Sequence, residues 1–300
     1  MASLATYLSV AVAAILWGSN FNLVKPVVAE MQPLIAAADR FLIAAGMMLV
    51  ITYATGNRLT WRHARIYLIL GVLGVLGFNL FFFLGMSSTS PVNGALIMGL
   101  NPVLTSLIAS WILGDQPTRP QWLAFPVGLL GVAIVVLGAG ARLEVSRGDA
   151  LLFVASLSWA LYNVYLRKLA PKGASALATT TGTMVAGAAA LTLVAFLSGE
   201  RFVVPSLYAG GALLMMSVSG GVLAYLLWSA GIAKLGPARA AIFMNLVPVA
   251  SMAISTASGV PPTPAQLLGG ALVIGAVMFS ALTGARAKVT ASPCVTSPCG

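Results

Sequence analysis

The sequence has very few charged residues. Only 7% of its 300 residues are charged, whereas 59% are hydrophobic, and about a quarter of the residues of a soluble globular domain are charged. A soluble fold of this length could not cover its surface with so few charges. An apolar exterior is favourable in lipid, so we expect an all-α integral membrane protein.

Side chains that carry catalysis or bind metals are also scarce. There is one histidine, His63, and two cysteines, Cys294 and Cys299. The histidine lies in a basic segment between two apolar stretches, and both cysteines lie in the polar C-terminal segment. These residues do not have the spacing of metal ligands, and none of them forms a pair of nucleophile and base. We therefore expect no enzyme, no catalytic residue, no metal site and no cofactor.

Apolar segments long enough to cross a bilayer follow one another along the chain. Helix-breaking pairs such as Gly56-Asn57 and Gly236-Pro237 separate them. We predict ten transmembrane helices and expect the first to be retained and not cleaved as a signal peptide. The expected spans are Leu4–Val24, Pro33–Thr55, Ile66–Met86, Pro91–Trp111, Gln121–Gly138, Asp149–Arg167, Ala174–Leu197, Leu207–Ala230, Pro237–Ala257 and Pro264–Thr283.

The basic residues fall mainly on one side of the predicted membrane. Counted along the loops, eleven of the 16 lysines and arginines share the side of the N-terminus. The positive-inside rule therefore predicts a multi-pass inner (plasma) membrane protein with both termini in the cytoplasm. Because the net charge of +10 is spread over short loops, we expect it to set topology and not to bind nucleic acid.

The two halves of the sequence repeat each other. The spacing Gly-x5-Pro-x3-Ala-x6-Pro begins at Gly85 and returns at Gly231, an offset of 146 residues. A unit of five helices crosses the membrane an odd number of times, so the second copy must be inverted. We expect residues 1–140 to form the first repeat, residues 141–285 the second, and residues 286–300 a disordered tail. Inverted repeats with a substrate site at their midplane interface are common in transporters.

These features resemble the drug/metabolite transporter (DMT) superfamily, specifically its EamA-type ten-helix exporters. The resemblance is carried by Trp17-Gly18-Ser19-Asn20-Phe21, by Arg40-Phe41, and by Ala95-x6-Pro102 with its repeat Ala241-x6-Pro248. It covers residues 4–284 and is closest to amino-acid exporters of the YddG type. It implies ten transmembrane helices in two inverted five-helix repeats and transport by alternating access. Asp115 departs from the family, whose members often have a glutamate there.

The resemblance implies that helices one, three, four, six, eight and nine line the pathway. Polar and aromatic residues on these helices are the candidate substrate-binding residues. They are Trp17, Asn20, Phe78, Asn79, Phe82, Met98, Asn101, Trp159, Tyr162, Asn163, Tyr225, Met244 and Asn245. Trp17 and Trp159 are mid-span, whereas most membrane tryptophans are interfacial, so we expect an aromatic wall. Packing of each indole N–H against a neighbouring backbone or hydroxyl group is the alternative.

Two prolines are expected to act as hinges. Pro102 and Pro248 lie about 16 Å into helices four and nine, where each removes an N–H and clashes with the carbonyl four residues back. The freed carbonyls, at Met98 and Met244, must face a cavity or another helix. A static kink satisfied by a neighbouring helix is the alternative to a hinge.

The charges that are missing from the spans narrow the substrate. No acidic residue lies in the interior of a span, because Asp39 and Asp149 are at span starts, and this argues against cationic drugs. No lysine or arginine lies at mid-depth to pair with a sugar phosphate. Arg40 lies nearer to the membrane surface, close to the start of helix two, and we expect it to form an ion pair with Asp39 or Glu30. Neutral or zwitterionic solutes remain, and hydrophobic or aromatic amino acids fit best, carried through the lipid bilayer by a monomer.

Two further alternatives remain open at this point. An exporter of drugs or other metabolites on the same fold is the second candidate function. A structural or sensory membrane protein needs no catalytic groups either, but it has no need of an inverted repeat with paired mid-helix prolines. Without a buried carboxylate, facilitated diffusion or exchange is favoured over proton antiport.

Overall fold

The computed structural model describes residues 3–86, 88, 97–137, 146–171, 173–259 and 261–286, and every regular element in them is helical. In chain order the helices are α1 (Leu4–Glu30), α2 (Pro33–Ala54), α3 (Trp61–Gly85), α4 (Ile97–Leu113), α5 (Arg119–Leu137), α6 (Arg147–Leu169), α7 (Ala176–Leu197), α8 (Leu207–Leu235), α9 (Pro237–Ala257) and α10 (Pro264–Arg286). Seven of these helices are long and apolar enough to cross a membrane. The other three, α4, α5 and α10, have shorter apolar stretches.

The predicted order of ten helices is confirmed, and α1 and α8 run six and five residues past their predicted C-terminal ends. α1 continues through Pro26 to Glu30, because a proline close to the helix end removes a single hydrogen bond. α8 continues to Leu235 and stops where Gly236 adopts a φ of 84° before Pro237. The start of helix four at residues 91–96, the repeat boundary at 140/141 and the tail at 287–300 lie outside the described residues.

The helices pack in pairs that follow the repeat. α2 packs against α7 and α5 against α10, and each pair joins counterparts of the two halves. The contact of α1 with α9 is matched by that of α6 with α4, and the contact of α3 with α6 by that of α8 with α1. Because each half has five helices, its copy runs in the opposite direction. The predicted architecture of two inverted five-helix repeats is confirmed.

Four helices depart from α-helical geometry in the same repeated pattern. α3 contains a π-helical segment at Val72–Gly77 and α8 contains one at Ser217–Leu223. α4 is interrupted at Leu100, directly before Asn101–Leu113, and α9 is interrupted by a 3-10 segment at Ile242–Asn245. Such interruptions often mark functional sites and hinges. The two interruptions in α4 and α9 lie two and three residues before Pro102 and Pro248, the predicted hinges.

Polar contacts hold the halves together at the end of the bundle that contains the α1–α2 loop, called here the α1–α2 end. A carboxylate oxygen of Glu200 accepts hydrogen bonds from the backbone N–H groups of Leu34 and Ile35, at 2.9 and 3.0 Å. Glu30 accepts from the backbone N–H and the hydroxyl group of Ser206, at 2.6 and 2.7 Å. Both acids thus bind groups of the opposite half.

Candidate substrate site

Eight aromatic rings from five helices meet near the middle of the bundle and are called here the aromatic cluster. Its members are Trp17, Phe41, Phe78, Phe82, Trp159, Tyr162, Tyr225 and Trp228. Neighbouring ring centroids are 5.1 to 6.4 Å apart, mostly in the edge-to-face and tilted arrangements that aromatic pairs prefer. Each half supplies four of the rings, so the cluster lies at the interface between the halves.

Trp17 is bound to the opposite half through its indole N–H. The Nε1 atom donates to the carbonyl oxygen of Gly220 at 3.0 Å. Gly220 lies in the π-helical segment of α8, where the regular pairing of helix carbonyls is interrupted. The ring also packs edge-on against Trp159 and Trp228, at centroid distances of 5.3 and 5.2 Å. Trp17 therefore has a structural partner as well as a position in the cluster.

Trp159, the repeat counterpart of Trp17, has no such partner. Its side chain is 4% exposed, and its Nε1 atom has no hydrogen-bond acceptor. The carbonyl of Gly74, the counterpart of Gly220, instead accepts from the hydroxyl group of Tyr225 at 3.1 Å. A buried donor without a partner costs about 1–3 kcal/mol. The repeat is therefore asymmetric at its centre, because the indole N–H of Trp17 is paired and that of Trp159 has no partner among the described residues.

Eight of the predicted substrate-binding residues lie in or beside the cluster. Those in it are Trp17, Phe78, Phe82, Trp159, Tyr162 and Tyr225. The amide oxygen of Asn163 accepts from Trp228 Nε1 at 2.9 Å, and its amide nitrogen has no partner. The amide oxygen of Asn20 accepts from the hydroxyl group of Ser219 at 3.3 Å. These two asparagines add polar groups to the aromatic surface.

The other five predicted residues are not aromatic and are not members of the cluster, namely Asn79, Met98, Asn101, Met244 and Asn245. Asn79 donates to the carbonyl of Val75 in its own helix at 2.7 Å. Asn101 links α4 to α6 by donating to the carbonyl of Ser156 at 2.8 Å. Asn245 is buried at the break in α9, and neither of its amide atoms has a partner. Among these five, only Asn245 has both side-chain polar atoms unpaired.

The predicted ion pair of Arg40 is wrong. The carboxylate of Glu30 is engaged by Ser206, and no acidic group in the described part of the chain lies within salt-bridge distance of Arg40. The Cζ atom of Arg40 lies 5.1 Å from the ring centroid of Phe41. The physical reason is that the start of α8 supplies two donors to Glu30, which leaves the guanidinium facing the bundle.

Sequence analysis also missed Phe41 and Trp228 as members of the cluster. Trp228 follows Phe82 by the repeat offset of 146 residues, so the repeat itself was a signal that could have identified it. Phe41 belongs to the Arg40-Phe41 motif that carries the family resemblance, but nothing in this motif indicates that its ring contacts other aromatic rings. Both rings are deeply buried, and both contact a predicted residue of the cluster.

A charged cavity of about 250 Å³ lies at the opposite end of the bundle. Its lining includes Asp115, Arg167, Lys234 and Arg239, which come from both halves. Searched over the described residues, the chain has no group of three or more histidine, cysteine or acidic side chains that could hold a metal ion. The polar side chains that line this cavity are mainly charged groups and amides.

The comparisons with known proteins identify this inverted ten-helix fold as that of a membrane transporter. The model of the EamA-like transporter family matches residues 4–137 and 146–282. The chain belongs to the EamA-like transporter family. It is a multi-pass inner membrane transporter and not an enzyme.

Relatives of this chain are transporters by name. It is 39% identical over 274 residues to the uncharacterized transporter YyaM of Bacillus subtilis (strain 168), covering 88% of this chain and 90% of that protein. It is 26% identical over 249 residues to the uncharacterized inner membrane transporter YedA of Escherichia coli (strain K12), covering 82% and 80%. A protein crystal structure with 20% identity superimposes with a TM-score of 0.80, over 96% of this chain and 100% of that one, which shows the common fold.

Proposed function

We propose that the protein exports small neutral or zwitterionic solutes, in particular aromatic and other hydrophobic amino acids, by alternating access. The proposal places the solute in the aromatic cluster, the protein in the YddG-type group of amino-acid exporters, and both termini in the cytoplasm. The transporter works as a monomer, because one chain of ten helices encloses the pathway by itself.

The observation that carries this proposal is the aromatic cluster with the unpaired N–H of Trp159. Aromatic pairs in edge-to-face geometry contribute about 0.5–1.5 kcal/mol each beyond the burial of their area, so a ring of the solute gains from this surface. The free donor of Trp159 suits an acceptor group on the same solute. An aromatic amino acid has both features.

Alternating access is supported by the interruptions in α4 and α9. Both lie just before the prolines of the repeat, Pro102 and Pro248. A helix that is interrupted at mid-length can change its angle there without breaking further hydrogen bonds. We propose that the two parts of each helix, before and after its interruption, change their relative angle. This motion opens the cluster to one side of the membrane at a time.

An exporter of drugs or other metabolites is the second candidate. Three rings of the cluster, Phe41, Phe78 and Phe82, carry no polar atom. A flat apolar solute without amino and carboxylate groups also gains from such a surface. Unlike the first candidate, this one requires neither an amino group nor a carboxylate on the solute.

Counterflow uptake into liposomes tests the proposal. The purified protein is reconstituted, and uptake of labelled phenylalanine, methionine and alanine is measured with and without a pH gradient. We expect saturable uptake of phenylalanine and methionine that exceeds that of alanine and does not depend on the gradient. Absence of uptake of all three by folded protein would remove the amino-acid proposal, and inhibition studies with planar drugs would then test the second candidate.

A further inference from the structure

Arg40 is a charge inside a membrane-spanning helix, and the described part of the chain supplies no counter-charge for it. It is the eighth residue of α2, about 10 Å from the start of the helix. Asp39 precedes it and points from a different face of the helix, while Glu30 is bound to Ser206. The Nε atom of Arg40 is inaccessible to solvent and has no partner. Unpaired charges at this depth are costly and point to a function.

Two donor groups meet over the backbone of Gly220 in the π-helical segment of α8. A Cβ atom at this position would lie 2.6 Å from Nη2 of Arg40, and it would also collide with Nδ2 of Asn20. Glycine thus lets the guanidinium and the amide approach the same stretch of backbone. The oxygen of the Asn20 amide is turned to the hydroxyl group of Ser219, so its NH₂ group is the side that faces Arg40 and Gly220.

This donor pair adjoins the aromatic cluster. The guanidinium lies over the ring of Phe41, and this ring packs edge-on against Tyr225 at a centroid distance of 6.2 Å. The carbonyl of Gly220 holds the indole of Trp17. A solute with its charged end at Arg40 therefore has its apolar body within reach of the rings.

A surface groove lies near this position, toward the α1–α2 end. A groove of about 320 Å³ runs between α1 and α8, and its lining includes Asn22, Pro26 and Met215. Met215 lies one helical turn before Ser219, whose hydroxyl group donates to the Met215 carbonyl at 2.8 Å. The groove thus reaches the turn of α8 that precedes Ser219, whose hydroxyl group also lies 3.3 Å from the amide oxygen of Asn20.

From these contacts we infer that Arg40, assisted by Asn20, binds the carboxylate of the transported solute. A guanidinium and an amide NH₂ side by side match the two oxygens of a carboxylate, and charge-assisted hydrogen bonds of this kind are about twice as strong as neutral ones. The inference rests on the proposed function and adds to it the group that orients the solute. It predicts that the protein selects monocarboxylates with an aromatic or apolar tail.

Binding of 3-phenylpropionate tests the inference, with its neutral amide as the matched probe. Both compounds are titrated into the purified full-length protein, and tryptophan fluorescence reports binding. The unmodified protein is expected to bind the carboxylate at least about tenfold more tightly than the amide. Arg40→Gln should remove this preference by weakening the carboxylate alone, and Arg40→Lys should retain part of it. Arg201→Gln, which removes an exposed charge near the start of α2, should change neither affinity.

The inference is overturned by an unmodified protein that shows no preference for the carboxylate. It is equally overturned by an Arg40→Gln protein that still binds the amide, and is therefore folded, and that binds the carboxylate as tightly as before. If Arg40→Gln does not fold, Arg40→Lys decides, because its single ammonium group cannot replace the fork of the guanidinium, and an unchanged preference would contradict the inference.

Failure of the proposed function gives a different pattern. If phenylalanine shows no counterflow while 3-phenylpropionate binds in an Arg40-dependent manner, the carboxylate site stands and amino acids are not the cargo. If phenylalanine is transported equally well by Arg40→Gln, the proposed function stands and the carboxylate site is wrong.

Discussion

Replacing the two repeat-related tryptophans by phenylalanine should have opposite consequences. Trp17→Phe removes an N–H that is bonded to the carbonyl of Gly220. Trp159→Phe removes an N–H that has no partner among the residues that the structure describes. Both substitutions replace an indole in the same cluster by a benzene ring, so the loss of ring volume is common to the pair. The difference between the two variants isolates the hydrogen bond.

The size of this difference follows from the hydrogen bond alone. Hydrogen bonds between membrane helices contribute about 0.6 kcal/mol on average and at most about 1.7 kcal/mol, and a carbonyl left unpaired adds to the cost. We expect Trp17→Phe to lower the free energy of unfolding by about 1 kcal/mol more than Trp159→Phe, or about fivefold in the unfolding equilibrium. Phenylalanine affinity should show the reverse order, with a loss of about fivefold for Trp159→Phe, because its N–H is the donor left for the solute.

Thermal unfolding in detergent and fluorescence titration with phenylalanine measure the two quantities on the same samples. The reasoning is refuted if Trp159→Phe is the less stable variant, or if both variants lose stability and affinity by equal amounts. In that case the two indoles would have the same role, and the asymmetry at Gly74 and Gly220 would carry no function.

Further substitutions test the close contacts and the hinges. Gly220→Ala should weaken 3-phenylpropionate binding about tenfold or more, since its methyl group would displace Arg40 and Asn20. The control variant Gly46→Ala, whose methyl group meets no atom within 4 Å, should bind normally. Equal affinities of the two variants would show that the close approach to Gly220 is unimportant. Pro102→Ala and Pro248→Ala should restore a continuous helix and slow counterflow about tenfold, which corresponds to about 1.4 kcal/mol in the barrier. Unchanged turnover in folded protein would mean that the breaks in α4 and α9 are static.

The order and orientation of the helices could be predicted because lipid imposes strong rules on sequence. A spanning helix must be apolar over about 20 residues, and pairs such as Gly236-Pro237 end it where the structure ends it. The repeat was visible because Pro102 and Pro248 occupy equivalent positions. The positions of Trp17 and Trp159 in the cluster could be expected for the same reason, since an indole at mid-span has few places to go other than an interface between helices.

The asymmetric details could not be predicted from the sequence. The π-helical segments Val72–Gly77 and Ser217–Leu223 are as apolar and glycine-rich as an ordinary packed helix, and one extra residue per turn leaves no pattern in the letters. The direction in which Arg40 points depends on which donors bind Glu30. These donors belong to Ser206, 176 positions further along the chain. Such choices are decided by packing between distant segments.

The central claim is that the aromatic cluster binds the transported solute, and the ratio of phenylalanine to alanine counterflow tests it most directly. Trp159→Ala removes a ring from the cluster, whereas Trp111→Ala removes a tryptophan that is 87% exposed and serves as the control. We expect Trp159→Ala to lower phenylalanine uptake about tenfold with little change for alanine, and Trp111→Ala to leave both unchanged. Equal losses for the two amino acids, or equal effects of the two substitutions, would contradict the account.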